Sequence, residues 1–198
     1  MDINYYINLI KNAVNNVEQG YYKIKTTYNN EGIVRERVFC YELYYQIRII
    51  DNDGDLTLHG EIDKRGHKEI KKNDQKNPDF IFHHPGGFER NSIVMEVKGK
   101  LEGSIGNYKE EKDKWIYKGI YKDLITLDRF INNCQYKAGI LLIYNHSLEE
   151  LKKFLNGKYN RFLMTKSWGN IKIIIKKDAY TKCIERQLVD ILNENIEL

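Results

Sequence analysis

The amino-acid sequence predicts an α/β domain in which helices flank a central β-sheet. Segments with apolar residues at helical spacing alternate along the chain with apolar runs of strand length. Residues 139–144 are continuously apolar, as expected of a strand that is covered on both faces. The turn sequence Pro85-Gly86-Gly87 separates two further runs, which predicts an antiparallel hairpin.

The N-terminal elements follow from capping residues and periodicity. Asp2 can cap a helix over residues 2–19, and Gly20 can end it. The Tyr-rich segment that continues to about residue 34 is predicted to be irregular. An apolar stripe at helical spacing predicts a second helix over residues 35–50.

The middle of the chain is predicted to supply three strands and a loop. Residues 56–63 alternate between apolar and polar side chains, as in a half-buried strand. Residues 79–84 and 92–98 are the two arms of the predicted hairpin. Residues 99–118 are polar and glycine-containing, which predicts a long loop near a functional site.

The last part of the chain again alternates helices and strands. Helices are predicted over residues 121–132, 147–155 and 179–193, because their apolar residues recur at helical spacing. Residues 139–144 and 171–175 are the strands between them. No internal repeat or linker separates these elements, so a single domain is expected.

Composition indicates an ordinary folded protein. The 198 residues, 41% hydrophobic and 30% charged, suit one domain over residues 1–198 and not a disordered chain. No apolar run approaches the roughly 18 residues that span a bilayer, so no membrane partner is expected. The N-terminus lacks a signal-peptide pattern, and three scattered cysteines indicate reduced thiols, so a cytoplasmic location is expected.

A local basic segment suggests a nucleic-acid partner. Residues 64–76 include six basic and two acidic residues, and this excess of +4 equals the net charge of the whole chain. Such a stripe can bind phosphates while the rest of the surface stays near neutral. A solvated loop is the alternative. The candidate phosphate-binding residues are Lys68, Lys71 and Lys72.

The residues that carry chemistry lie on the predicted hairpin. Successive strand residues point to opposite faces, so Glu96 and Lys98 share a face, and Asp79 on the neighbouring strand can lie beside Glu96. Two adjacent carboxylates repel each other unless a cation lies between them. A hard divalent ion such as Mg²⁺ or Mn²⁺ meets that need, and the carbonyl of Val97 is a further available ligand.

This pattern supports hydrolysis of phosphodiester bonds. A bound divalent metal ion polarises a phosphoryl oxygen and lowers the pKa of a bound water. Lys98 can orient or activate that water, or stabilise the negative charge that develops in the transition state. An exposed salt bridge between Glu96 and Lys98 on the solvent side of a hairpin is the structural alternative.

The residues Pro78, Asp79, Glu96, Val97 and Lys98 resemble the signature of the PD-(D/E)XK nuclease superfamily. The resemblance covers about residues 35–144. It implies a restriction endonuclease-like core: a central mixed β-sheet flanked by helices, in the chain order α-β-β-β-α-β. Members commonly place a Glu on the first core helix, aimed at the metal. Glu42 is the candidate for that role, and Glu36 is the rival because an acid at a helix start can simply complement the helix dipole.

Several further residues are secondary candidates. His83 shares a strand face with Asp79 and is a candidate for substrate contact, and Glu61 is placed to join the acidic cluster or to pair with Lys64. Some superfamily members have a polar catalytic residue where this chain has Lys122 and Asp123, although a helix-surface charge is the favoured interpretation. Tyrosines can stack on unpaired bases or lie at the edge of the core. They are Tyr5, Tyr6, Tyr21, Tyr22, Tyr41, Tyr44 and Tyr45.

The resemblance implies a metal-dependent nuclease that acts on DNA in preference to RNA, in defence, restriction or repair. Because no separate recognition domain is visible, a homodimer or a partner protein is expected to provide targeting. Two alternatives remain: a catalytically inactive nuclease-fold protein that binds nucleic acid or acts as a scaffold, and a protein-interaction domain that uses the Tyr-rich helices.

Overall fold

Helices and strands alternate along the chain in the computed structural model, which describes residues 2–61, 77–86, 91–107, 115–157, 163 and 168–194. The elements in chain order are α1 (Ile3–Asn16), α2 (Gln19–Tyr22), β1 (Ile24–Thr26), β2 (Asn29–Ile33), α3 (Glu36–Ile50), β3 (Thr57–Gly60), β4 (Phe80–His83), β5 (Asn91–Lys98), β6 (Gly103–Asn107), β7 (Trp115–Gly119), α4 (Ile120–Cys134), β8 (Ala138–Tyr144), α5 (Leu148–Leu155), β9 (Ile171–Lys176), β10 (Ile184–Gln187) and α6 (Leu188–Glu194).

Six of these strands form one mixed sheet in the spatial order β10-β9-β8-β5-β4-β3. The strands β5, β8 and β9 run parallel, whereas β3, β4 and β10 pair antiparallel with their neighbours. The predicted α/β class with a central mixed sheet is therefore confirmed. The strands β5 and β8 occupy the middle of the sheet, and every residue of β8 is buried, as its continuous apolar sequence predicts.

Helices cover both faces of this sheet and create two apolar cores. One core joins α1 and α3 to the sheet through residues such as Ile10, Phe39 and Met95. The other core joins α4, α5 and α6 to the opposite face through residues such as Leu124 and Val94. Because strand residues alternate between faces, Glu96 projects on the same face as Val94, toward α4.

Most predicted elements are confirmed. Helix α1 begins after Asp2, whose carboxylate accepts a hydrogen bond of 2.8 Å from the amide of Asn4. Helix α3 begins within one residue of its predicted start, and α5 begins with a capping box formed by Ser147 and Glu150. The predicted hairpin is present, since β4 and β5 pair antiparallel with Phe80 opposite Met95.

Three predictions about the elements are wrong. The segment predicted as the loop 99–118 contains the antiparallel pair β6 and β7. The segment predicted as irregular contains α2 and the small β1–β2 sheet. The predicted helix 179–193 is instead strand β10 followed by α6. The strand is favoured by the ion pair of Glu185 with Lys172 on the neighbouring strand (2.6 Å) and by that of Glu185 with Lys11 on α1 (3.0 Å).

No helix in the described ranges is long and apolar enough to cross a membrane. The basic segment of residues 64–76, with Lys68, Lys71 and Lys72, lies outside the described residues. The role predicted for these lysines stays a prediction.

Candidate active site

Two carboxylates meet where β4 begins and β5 ends. Asp79 directly precedes β4, and the pairing of Phe80 with Met95 brings Asp79 opposite Glu96. The Oδ2 atom of Asp79 accepts a hydrogen bond of 2.7 Å from the amide of Val97, and the charge of Asp79 raises the pKa of Glu96. The proximity of Asp79 and Glu96 that the hairpin predicts is therefore present.

Lys98 completes this group from the end of β5. Its Nζ lies 3.2 Å from Oε2 of Glu36 and 3.5 Å from Oδ2 of Asp123. Glu96 is only 7% exposed and its strand lies in the middle of the sheet, so Glu96 and Lys98 do not form an exposed salt bridge on the solvent side of a hairpin. We call Asp79, Glu96, Lys98, Glu36 and Asp123 the carboxylate–lysine cluster.

The helix α3 contributes Glu36 to the cluster, and the prediction that Glu42 faces it is wrong. Glu36 contacts Lys98, and its Oε1 accepts a hydrogen bond of 3.2 Å from the amide of Gly99. Glu42 instead accepts a hydrogen bond of 2.7 Å from Gln46, and its charge raises the pKa of Tyr21 on α2. Six residues along a helix correspond to about 600° of rotation, which places the two glutamates on different faces.

Gly99 allows the chain directly after β5 to lie close to the start of α3. A Cβ atom at this position would overlap the side chains of Val34 and Tyr144. The chain can therefore turn directly after Lys98 while its amide bonds to Glu36.

Asp123 enters the cluster from the first turn of α4 and is not the helix-surface charge favoured by sequence. It is 5% exposed, and its Oδ2 accepts no hydrogen bond within the described part of the chain. Gly119 precedes the helix with φ 56°, and a Cβ there would collide with the carbonyl oxygen of Glu102. That same carbonyl accepts a hydrogen bond of 3.0 Å from the amide of Ile120, so the β6–β7 pair fixes the start of α4 and thereby Asp123.

Burial disfavours the charged forms of three carboxylates in the cluster. Burial raises the pKa of Glu96 well above its ordinary value, Asp79 and Asp123 raise it further, and Lys98 opposes them. Burial also raises the pKa of Asp79, although the Val97 amide and Lys98 lower it. For Asp123, burial raises the pKa to about 6 against the opposing effect of the nearby lysines.

Lys98, together with Lys122, partly balances the charge of these carboxylates. Burial by itself would lower the pKa of Lys98, but Asp123 and Glu36 outweigh it and raise the pKa above its ordinary value. Lys98 is therefore protonated at neutral pH, and its ammonium group is held between β5, α3 and α4.

The donor chemistry of the cluster fits a hard divalent cation. Asp79 and Glu96 supply carboxylate oxygens, and the raised pKa values of both groups show that their negative charge is incompletely compensated. The described residues contain no group of three or more His, Cys, Asp or Glu side chains arranged to hold a metal ion. Mg²⁺ commonly binds proteins through one or two carboxylates and keeps several waters. The carbonyl of Val97 is the remaining candidate ligand from the chain.

The other candidate residues make contacts outside this cluster. His83 is buried, and its Nε2 lies 2.9 Å from Nδ1 of His59 on the adjacent strand, so substrate contact by His83 stays a prediction. Glu61 forms an exposed ion pair of 3.3 Å with Arg37. Its predicted alternative partner, Lys64, lies outside the described residues.

Comparisons of this chain with protein-family models, with curated proteins and with solved structures give no match.

Proposed function

We propose that this protein is a metal-dependent nuclease that hydrolyses phosphodiester bonds in nucleic acid, with DNA as the favoured substrate. The observation that carries the proposal is the meeting of two carboxylates, the half-buried Asp79 and the buried Glu96, with the ammonium group of Lys98 at one end of the central sheet. Burying like charges together is costly. A binding site for a metal ion and a phosphate group would account for this grouping of charged side chains.

The order of the elements supports the same proposal. The chain runs through α3, β3, β4, β5, α4 and β8, with the β6–β7 pair inserted before α4. This succession is consistent with the α-β-β-β-α-β order that the resemblance of Asp79, Glu96 and Lys98 to the superfamily signature implies. A role in defence, restriction or repair, and targeting by a homodimer or a partner protein, follow from that resemblance as parts of the proposal.

Asp79 and Glu96, with the carbonyl of Val97, would hold Mg²⁺ or Mn²⁺. When bound, such an ion supplies Lewis-acid polarisation of the phosphoryl group and activation of water. Lys98 donates hydrogen bonds to the phosphoryl oxygens and stabilises the negative charge that develops on them. Glu36 and Asp123 act as positioning residues, because their carboxylates hold the ammonium group of Lys98 from two different helices.

A second candidate is a nuclease-fold protein that binds nucleic acid without cutting it. The ion pairs of Lys98 with Glu36 (3.2 Å) and Asp123 (3.5 Å) favour it, because a lysine held by two carboxylates can belong to a structural ion-pair network. The two candidates predict different results in the same assay, because only the nuclease requires a divalent ion.

The experiment is incubation with plasmid, linear duplex and single-stranded DNA and with RNA, each with and without Mg²⁺ or Mn²⁺. The nuclease cuts at least one substrate only when the ion is present. A protein that forms a tight, metal-independent complex and cuts none of the substrates is the binding module instead.

Variants separate the roles within the cluster. Asp79→Ala and Glu96→Ala remove proposed ligands, so divalent-ion affinity and cleavage should fall together. Lys98→Ala removes no ligand and also removes a competing positive charge. It should retain ion binding by calorimetry while cleavage falls by ~10²-fold or more, as for loss of a charge-stabilising group. Cleavage by Lys98→Ala at the wild-type rate would contradict the role given to Lys98.

A further inference from the structure

An open cleft of about 580 Å³ extends away from the carboxylate–lysine cluster. It lies between one side of α3 and the strand ends that carry Gly60 and Asp79. Glu36 and Asp79 belong both to this cleft and to the cluster, so the two are continuous. Its volume falls within the range of pockets that bind small organic groups, about 300–1,000 Å³.

Aromatic rings give the cleft flat apolar surfaces. Tyr41 and Tyr44 line it from α3, and Phe80 lines it from β4. The rings of Tyr44 and Phe80 are stacked, with centroids 6.4 Å apart and planes 18° from parallel. Tyr41 is 66% exposed, so the face of its ring is accessible to a ligand. The cleft therefore offers ring faces on which a planar ligand can stack.

The polar groups of the cleft favour an uncharged ligand over a phosphate. Among the described residues that line the cleft, the carboxylates of Glu36, Glu61 and Asp79 outnumber the guanidinium of Arg37, which is already paired with Glu61 at 3.3 Å. A phosphate would meet repulsion from the carboxylates. A nucleobase is uncharged, planar and rich in N–H donors and ring acceptors, which the carboxylates, Arg37 and His59 can match.

We propose that this cleft binds an unpaired nucleobase of the strand whose phosphodiester group lies at the carboxylate–lysine cluster. The inference rests on the proposed nuclease function and names its substrate class. A base inside a duplex is stacked on both faces and cannot enter the cleft. The substrate is therefore a single strand, or a site where a base leaves the helix.

The test uses a single-stranded DNA oligonucleotide that contains 2-aminopurine, whose fluorescence falls when the base stacks on an aromatic ring. Binding is measured with the full chain in EDTA, so it does not depend on cleavage. Wild type should bind and quench the fluorescence. Tyr41→Ala should bind about 10-fold more weakly and lose most of the quenching, as expected for losing one base–ring contact.

Two further variants isolate the ring of Tyr41. Tyr41→Phe keeps the ring and should behave as wild type. Tyr180→Ala removes a tyrosine that is 86% exposed and does not line the cleft, so it should also behave as wild type. Tyr41 is itself exposed, so its truncation leaves the core intact, which circular dichroism checks.

The proposed base site is refuted if wild type does not quench the fluorescence, or if Tyr41→Ala binds and quenches as wild type does. It is also refuted if Tyr180→Ala loses as much affinity and quenching as Tyr41→Ala. Cleavage with Mg²⁺ or Mn²⁺ is scored separately on the same preparations. Tyr41-dependent quenching without cleavage of any substrate supports the base site and contradicts the nuclease. Cleavage of intact duplex that Tyr41→Ala leaves unchanged supports the nuclease and contradicts the base site.

Discussion

The charge of Asp123 should destabilise the metal-free protein, and Asp123→Asn should therefore stabilise it. Asp123 is 5% exposed and lies among Asp79, Glu96 and Lys98. Asparagine has nearly the same shape but carries no charge, so the substitution removes the cost of burying a carboxylate without opening a cavity.

The magnitude follows from the pKa of Asp123, which burial raises from 3.8 to about 6. One pKa unit corresponds to ~1.4 kcal/mol, so this difference corresponds to about 3 kcal/mol in the free energy of unfolding. For a chain of this size, 1 kcal/mol shifts the melting temperature by roughly 2–4 °C. Asp123→Asn should therefore raise the melting temperature by about 6–12 °C at pH 8.

The stabilisation should depend on pH with a defined sign. The folded protein takes up a proton on Asp123 at about pH 6, whereas the unfolded chain does so near the ordinary value of 3.8. A raised carboxyl pKa means that the contribution of Asp123 to stability falls as pH rises between these two values. The advantage of Asp123→Asn should therefore be small near pH 4 and complete above about pH 7.

The assay is urea or thermal unfolding in EDTA between pH 4.5 and 8, with Asp128→Asn as the matched control. Asp128 lies on the same helix, is partly exposed and accepts a hydrogen bond of 2.9 Å from Asn132, which an asparagine oxygen can also accept. The control should change stability by no more than about 0.5 kcal/mol. A destabilising effect of Asp123→Asn at pH 8, or an effect independent of pH, would refute the reasoning.

Two further predictions concern catalysis and binding. Glu36→Gln should lower cleavage by roughly 10-fold because it weakens the hold on Lys98, and Glu42→Gln on the same helix should cut normally. Equal loss of cleavage in the two variants would show that Glu36 has no special role. Triple replacement by Ala in the basic segment should weaken DNA binding equally for all sequences and flatten its log–log salt dependence by up to ~3, near 0.9 per phosphate contact. An unchanged slope would mean that the segment does not contact phosphates. The replaced residues are Lys68, Lys71 and Lys72.

The sequence by itself determined the principal elements and the centre of the candidate site. Helix α3, the β4–β5 hairpin and strand β8 have strong local signals: a helical apolar stripe, a Pro-Gly turn between apolar arms, and a continuous apolar run. The strand period of two residues places Glu96 and Lys98 on one face, and hairpin pairing brings Asp79 beside Glu96. These are short-range relations, so the order of residues is sufficient to fix them.

Only the tertiary structure decided which residues of the flanking helices reach that centre. Glu36 and Glu42 lie on the same helix. Periodicity does not tell which face of that helix meets the end of β5, because this depends on how α1 and α2 pack against its other faces. Asp123 has an ordinary first-turn position in the sequence, and its burial depends on Glu102, which is distant in sequence and anchors the start of α4. Such contacts join residues that are far apart along the chain, so their geometry is set by the packing of whole elements and not by local sequence.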